Sequence, residues 1–208
     1  MSEGFFDFYD LRTDEKSVED TVFAALDFET TGLNPLRDRV VEIGLLRFDI
    51  KQEKEAFDIL VNPEIVIPST AVSISGITNE MVKDQDTIKI HLDTILKLLA
   101  NTVVIAHNIN FDLSFLAAEV KRAGLTLPDI YGIDTQSFSK QVFPGQPSYS
   151  LQNLAAAMGF ETGNAHRALD DARTCRSLFL NCLGKIPDFQ NRTISEVIKT
   201  SKTVLEYN

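Results

Sequence analysis

The period of the apolar residues changes along this chain, and that change limits the possible folds more than any other feature. Up to Val61 the apolar runs are short and β-rich. Val22–Glu29 (VFAALDFE) alternates its side chains like a buried strand; Val40–Ile50 and Ala56–Val61 follow, separated by the charged turn KQEKE. Such runs predict an antiparallel meander. From Thr87 the spacing turns helical: Ile88, His91, Leu92, Ile95, Leu98 and Leu99 form one stripe of a helix over 87–99. Thr102–Ala106 then reads as a strand, Phe111–Ala123 as a helix stopped at Gly124, and Asp129–Asp134 as a strand. Tyr149–Met158 reads as a helix ending at Gly159, and Ala168–Leu183 as a helix burying Ala168, Ala172, Cys175, Phe179 and Cys182. A meander followed by alternating helix and strand predicts an α/β fold, a mixed sheet flanked by helices.

A chain of 208 residues suits one domain with one substantial core. Residues 1–20 read as an acidic N-terminal extension, with seven acidic against two basic residues and an aromatic cluster at Phe5, Phe6, Phe8 and Tyr9. The main domain is expected over 21–183. The remainder, 184–208, is a tail with one short helix, marked by the capping box Thr193-Ile194-Ser195-Glu196. No run of eighteen apolar residues occurs, and the N-terminus has no basic start followed by an apolar stretch. The expectation is a cytoplasmic protein with no membrane contact. Cys175 and Cys182, seven apart in an apolar helix, read as two buried thiols.

Asp27-Phe28-Glu29 closes the first strand. Residues two apart on a strand share a face, so both carboxylates project together, opposite Leu26 and Phe28. Two such charges side by side raise each other's pKa unless a cation lies between them. The following Thr30-Thr31-Gly32-Leu33 turn offers small hydroxyls and backbone amides to a ligand, with Leu33 placed to lie against a base or sugar. Asp112 stands in the first turn of a helix, where the dipole favours an acid and simple capping is a serious alternative. His107 and Asn108 read as residues that orient the loop before it. His166 and Asp171 would be about 140° apart on one helix. They meet only if Asp171 is helical and His166 lies on the preceding loop, free to swing over it; Asp170 should turn toward solvent.

The set D-x-E-T-T-G, H-N-x-x-F-D and H-x-A-x-x-D, in that order, resembles the DEDDh exonucleases. More narrowly, it is similar to the DnaQ-like branch that contains the proofreading epsilon subunit of DNA polymerase III. Ser75–Met81 (SGITNEM) and Gly132–Thr135 (GIDT) carry the same likeness. The resemblance implies a ribonuclease-H-like fold with a central mixed five-stranded sheet, and makes 21–183 an exonuclease domain. It implies two divalent ions, Mg²⁺ or Mn²⁺, on Asp27, Glu29, Asp112 and Asp171, since all-oxygen ligands suit hard cations. His166 would be the general base, and Thr30, Thr31, Gly32, Leu33, Asn108 and Phe111 would touch the substrate. The activity implied is 3′→5′ removal of nucleoside 5′-monophosphates from single-stranded DNA or RNA ends, with a DNA polymerase as partner. Two departures stand out: relatives often carry a histidine where this chain has Ser75, and no long tail resembling the polymerase-binding segment follows the domain.

The net charge of −10 opposes tight phosphate binding. Half of the excess, however, sits in the first twenty residues, and bound cations would reverse the sign locally. A grip on a strand end, rather than on a long duplex, follows. RNA trimming is the first rival, although E-T-T-G resembles the DNA-proofreading branch more than the oligoribonucleases. A catalytically silent nucleic-acid-binding module would be marked by a lost ligand, and none is lost. An unrelated carboxylate phosphatase would act on simple monoesters.

Overall fold

The computed structural model describes residues 16–128, 130–160, 163–201 and 204–207. The aromatic cluster of the N-terminal extension lies outside them. Strands β1 (Phe23–Thr30), β2 (Val40–Phe48) and β3 (Glu53–Leu60) form the antiparallel meander. β4 (Val103–Ala106) adds parallel to β1, and β5 (Ile130–Asp134) adds parallel to β4. These are the five strands of the expected mixed sheet. A sixth, β6 (Val204–Tyr207), pairs antiparallel with β5, so the order is β3-β2-β1-β4-β5-β6. This last strand falls in the tail, where only a helix was expected.

The helices are α1 (Ser69–Ser75), α2 (Asn79–Val82), α3 (Ile88–Leu99), α4 (Ile109–Arg122), α5 (Thr135–Val142), α6 (Leu151–Met158), α7 (Ala168–Leu183) and α8 (Ile194–Ser201). The capping box at the start of α8 is formed: the Thr193 N–H donates to Glu196 Oε2 at 2.9 Å, and the Glu196 N–H to Thr193 Oγ1 at 3.2 Å. Helices α1, α2 and α5 are not legible in the pattern of apolar residues. The first two are short, and α5 is capped by Asp134, whose carboxylate accepts the Gln136 and Ser137 N–H groups.

Alternation along the strands divides the apolar residues between two faces. On one face Phe23, Ala25, Leu46 and Phe48 pack with Cys175, Leu178, Phe179 and Cys182 of α7. Phe23 and Phe179 meet with ring centroids 4.9 Å apart. On the other face Ala24, Leu26, Phe28, Ile43 and Leu45 pack with α3 and α4. Val18, Ile186, Ile194 and Val197 join the first of these cores. Both cysteines are buried free thiols, and burial pushes the Cys182 thiol up to about 11. Among the described residues, no helix is long and apolar enough to cross a membrane.

One position shows how tightly α7 is set on the sheet. Gly44 of β2 lies beneath the start of α7, and a Cβ built there would come within 2.1 Å of the Ala168 carbonyl carbon. Backbone cannot retreat as the tip of a side chain can, so the helix itself would have to move. Gly44→Ala should therefore destabilise the fold by about 1–3 kcal/mol, the usual cost of overpacking, or more. Urea unfolding checks this, and a variant as stable as the parent would contradict the close approach.

Candidate active site

β1 outruns its parallel neighbour: the register with β4 covers only Phe23 to Ala25. Beyond that point the edge of β1 facing β4 is open, and a buried backbone donor there needs another acceptor. Asp112, 3% exposed in the first turn of α4, supplies it, accepting the Phe28 N–H on Oδ1 at 3.0 Å. The acid is thus more than a cap for its own helix; it closes the frayed edge of the central strand. Asp27 and Glu29 lie on the α7 face of β1, opposite Gly44 and Glu42 of β2. Asp171, 7% exposed in the first turn of α7, comes down on the same face.

Both oxygens of Asp171 are held. Oδ1 accepts from Gln152 Nε2 at 2.6 Å, and Oδ2 accepts the His166 N–H at 3.0 Å. His166 sits on the loop before α7 with a left-handed backbone (φ 64°) and an exposed side chain. Among the described residues, Glu29, His166 and Asp171 form the one group of three whose ligand atoms all lie within 4.8 Å of one another. Asp27 and Asp112 are outside that trio but within electrostatic reach of it. Asp170 does not turn simply toward solvent: its carboxylate folds back to accept the Asn164 N–H at 2.8 Å and faces Arg173.

Burial opposes the ionisation of all four acids, and at Asp27 and Glu29 the neighbouring acids oppose it as well. Burial pushes Asp27 well above the usual carboxylate range, and Asp112, Asp171, Glu29 and Glu42 add to it. Glu29 is pushed up to about 8, first by burial and then by Asp171, Glu42 and Asp112, against a smaller pull from Arg167. Asp112 also rises to about 8 by burial, although its hydrogen bond from Phe28 works the other way. Asp171 is raised by burial, partly offset by the bond from His166. Four carboxyls that resist charging, beside one exposed imidazole, form a site whose oxygen donors a divalent cation fits and relieves.

Beside the acids opens a cleft of about 360 Å³ lined by Phe28, Glu29, the Thr30–Leu33 turn, Thr70, Ala71, Ile74 and Phe111. The turn is rigid: the Thr31 N–H donates to the Arg39 carbonyl at 2.8 Å, the Arg39 N–H to Thr31 Oγ1 at 3.0 Å, and Thr30 Oγ1 to the Gly32 carbonyl at 2.6 Å. Leu33 is 84% exposed on it, and the Phe111 ring packs at a tilt against Phe115, centroids 5.0 Å apart. Asn108 does not line the cleft; its N–H donates to Asp134 Oδ1 at 2.8 Å. His107 bridges Thr135 Oγ1 (3.0 Å) and the Tyr149 carbonyl (2.8 Å), and burial lowers its pKa. Ser75 is buried, its hydroxyl donating to the Ala71 carbonyl and accepting the Ile77 N–H. It is the neighbouring Ile74 that reaches the cleft.

Sequence reasoning missed three side chains that hold this arrangement together. Gln152 lies on a helix it did place, but nothing in one sequence marks its partner. Glu42 is the one charge within the apolar run VVEIGLL, which is a signal that could have been followed. Arg167 occupies a position that H-x-A-x-x-D leaves open.

Comparison with known proteins agrees with the geometry. The RNase T family model, described as an exonuclease, matches residues 24–179. The DNA polymerase III epsilon subunit of Treponema pallidum is 38% identical over 163 residues, which cover 77% of this chain and 76% of that one. The PolC-type DNA polymerase III of Caldanaerobacter subterraneus subsp. tengcongensis is 33% identical over 175 residues, 84% of this chain but only 12% of that much longer polymerase. Among solved structures, the nuclease domain of 3′hExo, a DEDDh family member bound to rAMP, superposes with a TM-score of 0.70 at 18% identity, covering 85% of this chain and 97% of that one. The fold is the ribonuclease-H-like fold of that class of nuclease. The chain belongs to the exonuclease family.

The raised carboxyls have a consequence for stability. A carboxyl with a higher pKa folded than unfolded binds an extra proton in the folded state between the two values, so stability falls as pH rises through that window. For Glu29 the window runs from 4.5 to about 8. Without divalent ions the thermal midpoint should fall across it, and Mn²⁺ should raise the midpoint strongly at the upper end and weakly at the lower. Asp112→Asn keeps an acceptor for Phe28 and should flatten the slope. A pH-independent, metal-free midpoint in scanning calorimetry would contradict the mutual strain.

Proposed function

We propose that this chain is a metal-dependent 3′→5′ exonuclease that releases nucleoside 5′-monophosphates from single-stranded DNA ends. The observation that carries the reading is the acid group, Asp112 and Asp171 buried and Asp27 and Glu29 half-buried, beside a cleft of about 360 Å³, a volume within the usual range for small-ligand sites, about 300–1,000 Å³. Asp27, Glu29, Asp112 and Asp171 are the residues that would hold two divalent ions, Mg²⁺ or Mn²⁺. When bound, such ions supply Lewis acidity toward the phosphodiester and lower the pKa of water.

The rest of the chemistry falls to the chain's own groups. Leu33, Ile74 and Phe111 offer apolar surface to the terminal base and sugar, with Thr30, Thr31 and Gly32 beneath. Water attacks phosphorus, the bond from phosphorus to the 3′ oxygen breaks, and the shortened strand leaves with a 3′ hydroxyl. His166, exposed and next to Glu29 and Asp171, takes the proton from the attacking water; the departing oxygen is protonated from solvent. Identity with the epsilon subunit supports DNA as substrate and a DNA polymerase as the partner that presents the end.

His166→Ala should slow release by about 10²–10⁴-fold while leaving Mn²⁺ affinity nearly intact. Asp27→Asn should lose activity and metal binding together. 5′-labelled DNA and RNA strands of one sequence, resolved on a gel, read direction and sugar preference. Full turnover by His166→Ala would remove the base assignment, and faster decay of the RNA would move the substrate to the trimming class.

A further inference from the structure

We propose that Glu42 and Arg167 are a positioning pair for His166, a role that rests on the exonuclease reading. Glu42 lies mid-sheet on β2, paired with Glu29 on one side and Leu60 on the other. Its side chain is 1% exposed. Its carboxylate is bonded to the two residues that follow His166: Oε1 accepts from Arg167 Nε at 2.9 Å and from Nη2 at 2.5 Å, and Oε2 accepts the Ala168 N–H at 3.0 Å. A rigid strand thereby grips the start of α7, 125 residues away in the chain. On its other side His166 is tied by its own N–H to Asp171 Oδ2.

Three features favour positioning over plain structural support. His166 holds a left-handed backbone (φ 64°), uncommon for any residue but glycine although histidine enters it more readily than most, so the loop around it fixes an unusual backbone state. Its imidazole is exposed, so its aim depends on the backbone rather than on packing. Glu42 is also an expensive choice for stability. Its neighbours Val40, Val41 and Ile43 are apolar, a buried ion pair is weak evidence for stabilisation, and its charge raises Glu29 and Asp27 nearby. What the pair provides is fixed geometry, since a guanidinium held through two nitrogens has little freedom. The acid cluster thus tolerates a further negative charge, and the loop that carries the base is locked in return.

The test is a cycle of Arg167→Ala and His166→Ala on the full chain, with Glu42→Gln and Arg167→Lys beside it. Single-turnover release from labelled DNA, Mn²⁺ affinity by electron paramagnetic resonance, and thermal midpoints are measured. Arg167→Ala should lower kcat about tenfold or more through misplacement of the base, at saturating Mn²⁺ and with KM unchanged. In the His166→Ala background it should cost nothing further, because residues acting as one unit are not additive. Arg167→Lys and Glu42→Gln should fall between. Equal losses in both backgrounds, or no loss in either, would overturn the proposal. A readout without catalysis separates it from the exonuclease reading. Amide exchange at His166 should speed up about tenfold in Arg167→Ala while β1 and β2 amides stay protected. An unchanged His166 amide overturns the pair even in an inactive protein, whereas a wild type that leaves all strand ends intact overturns only the exonuclease reading.

Discussion

The unpaired edge of β1 beyond Ala25 is the constraint on which the site is built. A strand that overruns its neighbour leaves backbone donors that must be satisfied, and Asp112 reaches in from α4 to satisfy one. That single contact brings an acid from one side of the sheet to the edge of a strand whose own acids face the other side. Asp171 completes the group from α7, which can come so close because β2 has glycine at position 44. Side chains from both layers of the fold therefore meet where the sheet is incomplete, at the end of a strand, where ligand sites of open sheets commonly lie.

Holding these groups together works against stability. Burial raises all four carboxyls, and the neighbouring acids raise Asp27 and Glu29 further. The opposing weight comes from the two apolar layers, in which Phe23, Phe48, Phe138 and Phe179 interlock on one face and Leu26, Ile43, Leu92 and Ile95 lie on the other. The acids are kept unrelaxed because the backbone that carries them cannot yield, the general condition for a preorganised electrostatic site.

How much of this was legible in the sequence depends on the kind of signal. The meander, β4, β5 and α7 were readable because a whole row of apolar residues repeats at one period, and α7 begins and ends at Ala168 and Leu183 as read. The short helices α1 and α2 carry too few turns to establish a period, and β6 rests on a neighbour distant in sequence. At the site, motif order brought Glu29, His166 and Asp171 to notice, and the structure sets those three side by side. Spacing correctly separated His166 from the helix. It could not reveal that Asp170 is folded into its own loop, that the Asn108 backbone N–H is held by Asp134, or that Ile74 rather than Ser75 faces the cleft. Those outcomes are decided by partners far along the chain, as are the contacts of Glu42 and Gln152.

The bridge between Ser17 and Thr193 has a meaning beyond the site. The Val18 N–H donates to the Arg192 carbonyl and the Ile194 N–H to the Lys16 carbonyl, so the entering and returning backbones run side by side. The segment that leads into β1 is thereby clasped to the turn that leads into α8 and β6, so the opening and closing stretches of the described fold are fastened to each other rather than to the sheet alone.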